Sequence, residues 1–186
     1  MRIALALLVL LLAVGCKGDS APAADPTLPP IEGVQSYPGL SNHHFVKGEY
    51  PHTYPQSPPV GGPHVDRWLA CGAYTETLPN ENAVHSLEHG AVWITYQPGY
   101  QGTGPLAALT RLNPEYVLVS PYQGQDSPVI VTAWGLQLKL QSSDDPRIVA
   151  FVQRYAGGGQ GGEQGATCAT GGLTPEQALQ YDSGLR

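Results

Sequence analysis

Methionine is missing from this 186-residue chain everywhere except position 1. That removes the thioether ligands on which a Met-rich copper(I) carrier depends. Basic residues are also few: nine lysines and arginines stand against fifteen acidic residues, for a formal net charge of −6. No basic stripe is present, so nucleic acid is not an expected partner. Neither a CxxC pair nor a G-x-S-x-G elbow occurs, and the glycine-rich stretch 157–165 lacks the Lys-Ser/Thr ending of a phosphate loop. Internal repeats and heptads are absent too. What the chain has in quantity is backbone punctuation, with 23 glycines and 18 prolines. Much of it must therefore be turn and extended loop laid over a modest core.

The N-terminus reads as an export signal over residues 1–15. Arg2 supplies the positive charge, an unbroken apolar run covers 3–14, and Gly15 precedes Cys16. Such a run is too short to remain as a comfortable transmembrane helix. The Ala13-Val14-Gly15-Cys16 ending resembles a bacterial lipobox, which implies cleavage before Cys16 and lipid attachment to it. The membrane is then a partner through that anchor, and the domain lies in the cell envelope, facing periplasm or exterior. The alternative is an ordinary secreted protein with a spare thiol. Lipidation of Cys16 leaves Cys71 and Cys168 as a pair, which an exported protein is expected to join as a disulfide. The rival use of either cysteine is as a thiolate metal ligand.

Residues 16–38 hold few large apolar groups and read as a flexible tether. A single α+β domain is expected over 39–170, followed by a C-terminal tail at 171–186 with a peripheral helix. Its first part, 40–70, is Pro/Gly-rich loop. A helix is expected over 81–89, with Asn80 as N-cap and Gly90 as stop. Strands are expected at 91–96, 116–120 and 128–134 and through Leu136, Leu138 and Leu140, and helices at 104–112 and 145–155. Together these predict a small, mostly antiparallel sheet with two or three helices.

All six histidines lie between His43 and His89. His85 and His89 stand four apart on the expected helix, so their rings share one side and can share a metal ion. His64, in a proline-stiffened loop, is the natural third ligand. His44 follows, then His52, with His43 weakest. The plain alternative is a set of hydrogen-bonded structural histidines. Read literally, His85-Ser86-Leu87-Glu88-His89 spells the H-x-x-E-H zinc-peptidase motif, with Glu88 as general base. That motif needs a long helix and a later acidic ligand, and here Gly90 ends the segment at once.

Pro58-Pro59-Val60-Gly61-Gly62-Pro63-His64, Trp68-Leu69-Ala70-Cys71-Gly72-Ala73-Tyr74, Val84-His85-Ser86-Leu87-Glu88-His89-Gly90, Val119-Ser120-Pro121-Tyr122 and Thr132-Ala133-Trp134-Gly135 occur in that order. Together they resemble the bacterial domain-of-unknown-function family 3105 over about residues 44–168. The resemblance implies importance for His44, His64, His85 and His89, and it supplies no reaction. Three functions follow as expectations. The first is a lipoprotein that binds one transition-metal ion, copper or zinc, through His64, His85 and His89 with His44. The others are a metal-dependent hydrolase using Glu88, and a non-catalytic module whose loops meet a protein partner.

Overall fold

The computed structural model describes residues 29–45, 53–163 and 165–182. The export signal, Cys16, most of the tether and His52 lie outside the described residues.

Chain order gives β1 (Gln35–Ser36), β2 (His44–Phe45), β3 (His64–Val65), β4 (Gly72–Ala73), α1 (Asn80–Glu88) and β5 (Val92–Tyr96). There follow α2 (Thr103–Leu112), β6 (Val117–Pro121), β7 (Val129–Ala133), β8 (Leu136–Leu140), α3 (Arg147–Tyr155) and α4 (Pro175–Asp182). Six strands form one sheet in the order β1-β8-β7-β5-β6-β4, and β2 and β3 form a separate pair.

The expected α+β class holds, but the sheet is mixed and not mostly antiparallel. β5 pairs parallel with β6 on one side and antiparallel with β7 on the other, and β4 adds a further parallel pair on β6. The cause is α2. A chain that leaves β5, passes through a helix and re-enters the sheet beside it returns in the same direction. Sequence periodicity carries no record of strand direction. The helices number four among the described residues: three within the domain, and α4 in the tail where a peripheral helix was expected, though it buries Ala178 in the core.

Alternation along β5 divides the core into two layers. Val92 and Ile94 face α2 and α3, packing with Leu106, Phe151 and Val152. Trp93 faces the other way, into a second cluster with Val84, Leu87, Leu69 and Trp134. α1 therefore lies on the face of the sheet opposite α2 and α3. Residues 29–38, the end of the expected tether, are seated on the first layer. Ile31 and Val34 pack against it, β1 pairs with β8, and Arg147 and Arg154 donate to the carbonyls of Glu32 and Pro29.

α1 is buried from Asn82 to Glu88, polar residues included. Each of these polar groups has a partner, as burial requires. Ser86 Oγ donates to the Leu69 carbonyl at 3.0 Å and accepts from the Leu69 N–H at 2.9 Å. Asn82 donates to the Arg67 carbonyl. The helix thereby pins the 67–71 segment, which the Cys71–Cys168 disulfide ties in turn to the C-terminal part of the chain. Pro79, not Asn80, occupies the N-cap position, and Asn80 is the first helical residue. Gly90 ends the helix as expected, at φ +86°, a conformation that a residue with a Cβ rarely adopts.

Candidate metal centre

α1 and its C-cap supply three of the site's side chains: His85 and Glu88 from the helix, and His89 at the cap. Glu88 lies one turn beyond His85 on the same face, so both reach towards the β2–β3 pair. That pair is parallel and only two rungs long, with His44 opposite His64 and Phe45 opposite Val65. The first rung places two imidazoles side by side over the helix.

Glu88 is the meeting point. Its Oε2 lies 2.8 Å from His64 Nε2 and 2.9 Å from His44 Nε2. The rings of His44, His64 and His85 stand 4.7–4.9 Å apart between centroids. One ligand atom from each of His44, His64, His85 and Glu88 falls within a common span of 4.8 Å. His64, His85 and Glu88 are buried at 0, 3 and 1% exposure. The His44 side chain, 36% exposed, opens one flank of the group to solvent.

Backbone carbonyls set the ring orientations. His64 Nδ1 donates to the Gly62 carbonyl at 2.8 Å, and His85 Nδ1 donates to the Val65 carbonyl at 2.7 Å. A carbonyl can only accept, so the proton of each neutral ring sits on Nδ1 and the lone pair on Nε2. The His64 lone pair then faces a carboxylate oxygen at 2.8 Å. Two acceptors at that distance need a proton or a metal ion between them.

A second group adjoins the first. His89 Nε2 lies 3.1 Å from His85 Nε2 and 2.8 Å from Glu163 Oε2, with its Nδ1 3.4 Å from the Thr167 carbonyl. The Trp68 ring lies over both histidines, 4.5 Å from His89 and 5.5 Å from His85. His43 gives only its backbone, accepting from the His64 N–H, and its exposed side chain belongs to neither group. Cys71 and Cys168 are joined to each other, so neither serves as a thiolate ligand.

Two site residues were not foreseen as ligands. The sequence motif presents Glu88 as a general base, and Glu163 stands within the glycine-rich stretch 157–165. Glu163 is in fact the sole charged residue between Arg154 and Glu176. A lone carboxylate in so glycine-rich a run was the available signal.

The metal-free protein is expected to respond to acid in two steps. Burial, together with the neighbouring His64, His89 and His44, pushes His85 down from 6.5 to about 4, against the opposing pull of its bond to Val65. Between those values the unfolded chain takes up a proton that the folded chain refuses. Stability therefore falls as pH drops from 6.5 to 4, by on the order of 3 kcal/mol. Glu88 acts in a lower window. Burial alone would raise its carboxyl, but the His64 and His44 imidazoles outweigh that and hold it down from 4.5 to about 2. The stability it contributes is complete above 4.5 and is lost as pH falls through 2. Urea unfolding of chelator-treated protein at pH 7, 5 and 4 checks the first step, and equal midpoints would contradict it.

Comparison with known protein families gives a match over most of the chain. The model of a family described as "Protein of unknown function (DUF3105)" covers residues 46–170. No curated protein and no solved structure matches the chain.

Proposed function

The chain belongs to the DUF3105 family, and we propose from its site that the domain binds one transition-metal ion, copper(II) or zinc, through His44, His64, His85 and Glu88. One observation carries this reading. Buried Nε2 lone pairs, oriented by Nδ1–H bonds to backbone carbonyls, converge with a carboxylate. Metal-binding histidines are commonly held this way, with the second ring nitrogen donating to a carbonyl that fixes tautomer and direction. Three imidazoles and a carboxylate, without thiolate or thioether, suit copper(II) or zinc better than copper(I).

Chelator-treated protein reconstituted separately with copper(II) and zinc, then desalted, should retain about one equivalent of the preferred ion. The His85→Ala variant should retain little of it. A wild type that stays empty with both metals sinks the proposal.

The hydrolase alternative fits less well. A general base must face a water or substrate proton, whereas Glu88 Oε2 is already held between two imidazoles, at 2.8 and 2.9 Å. That position suits a ligand. A module with scattered structural histidines fits less well too, since it would hold its ring nitrogens apart.

The N-terminal reading completes the proposal. Lipid on Cys16 would hold the domain in the cell envelope, facing periplasm or exterior. Cys16→Ser protein should then leave the membrane fraction, and retention there would remove the anchor.

A further inference from the structure

The two histidine–carboxylate groups meet at a single atom. His85 Nδ1–H is committed to the Val65 carbonyl at 2.7 Å, so only Nε2 is available to a metal. His85 is common to the inner group with His44, His64 and Glu88 and to the group with His89 and Glu163, and with Nδ1 committed, Nε2 is the atom it can offer to either. One lone pair coordinates one ion, so a metal held in either group denies His85 to the other.

Each group has one ligand open to water: His44 in the inner group, its side chain 36% exposed, and Glu163 in the other, its side chain 41% exposed. The His89 ring is lodged between His85, Trp68 and Glu163. If its Nδ1 proton points to the Thr167 carbonyl, its Nε2 presents a second lone pair opposite that of His85, 3.1 Å away. The surface carboxylate then completes a three-atom set.

Resting on the metal-binding reading above, we infer that His85, His89 and Glu163 form a second, outer metal position that excludes the inner one by sharing His85. The protein would hold one ion in total, and that ion could change partners around His85 Nε2 between the two ligand sets. Glu163 is the ligand specific to the outer position, supplied by the loop that follows α3. A borderline divalent ion, copper(II) or zinc, suits its two imidazoles and carboxylate.

The test weakens the inner group without emptying the core. His44 is exposed, and Glu88→Gln keeps the shape of a buried side chain while removing its charge. The double variant His44→Ala/Glu88→Gln is titrated with copper(II), following quenching of tryptophan fluorescence, with its fold checked by circular dichroism. It is expected to keep one binding event, weaker than wild type. Adding Glu163→Gln is expected to weaken that event at least tenfold further, and His89→Ala should do the same. If wild type binds and Glu163→Gln changes nothing in the double variant, the outer position is overturned and the inner one stands. If wild type itself binds neither copper nor zinc, both fall. A wild type that takes up two equivalents would also overturn the mutual exclusion. Should the double variant fail to fold, the single variant Glu88→Gln takes its place. Adding Glu163→Gln to it is expected to weaken copper(II) binding at least tenfold, and no change overturns the outer position.

Discussion

Replacing both Cys71 and Cys168 by serine is expected to lower the free energy of unfolding by about 4 kcal/mol, the scale for cross-linking a loop of this length. The two positions are 97 residues apart in sequence, with Cα atoms 5.0 Å apart. The bond also sits in a lattice of backbone contacts. Cys71 N–H donates to the Cys168 carbonyl, Ala70 N–H to Leu173, and Leu173 N–H to Trp68. Ser86 on α1 holds Leu69 from the other side. Removing the disulfide therefore frees the unfolded chain and also loosens the link between α1 and residues 167–173, whose Thr167 carbonyl faces His89. Equilibrium urea unfolding of the double serine variant checks this, alongside wild type with and without reductant. A loss below about 1 kcal/mol would show that the hydrogen-bonded lattice holds the segments without the covalent tie.

Gly161→Ala is expected to cost more than the roughly 1–3 kcal/mol usual for overpacking. A Cβ at this position would lie 2.3 Å from Glu88 Cα and 2.4 Å from its carbonyl oxygen. Both are backbone atoms of a buried helix end, so neither can rotate aside. The loop must lift from α1, and Glu163, two residues on, is carried away from His89. The same substitution at Gly165, where a Cβ meets nothing within 4 Å, isolates the clash from any general effect of removing glycine, although φ there is +83° and adds strain of its own. Thermal unfolding of the two variants side by side is the measurement. Gly161→Ala should melt well below Gly165→Ala, and equal melting temperatures would mean that the loop yields easily.

Elements made of contiguous residues were legible in the sequence, and arrangements between distant residues were not. α1 and β5 could be read directly, because a helix stopping at Gly90 and a β-branched, aromatic strand each declare themselves within a few residues. The pairing of Cys71 with Cys168 followed from counting thiols. The crowding of histidines before position 90 located the site, and the i, i+4 spacing placed His85 beside His89. The role of Glu88 was harder to see. Its partners His44 and His64 come from a strand pair whose members lie twenty residues apart in sequence, and no local pattern in 40–70 announces a parallel ladder. Glu163 was hidden by its setting. Glycine-rich sequence reads as slack chain, whereas here the missing side chains let the backbone press against α1. The parallel turn of the sheet was lost for a similar reason, since α2 was recognised as a helix without the direction of the strands it joins.

The His44–Phe45 and His64–Val65 ladder carries a consequence for how the site could be moved or altered. Each strand contributes one ligand and one core residue, and Phe45 and Val65 are buried at 6 and 0% exposure. A slip of one residue would drive an imidazole into the apolar layer and lift a hydrocarbon side chain over the helix, both in a single step. The ladder thus works like a keyed plug that seats in one position only. The two dipeptides are the teeth of the key. Anyone grafting this site onto another scaffold would have to carry each dipeptide as an indivisible unit, together with the Gly62 carbonyl that accepts from His64.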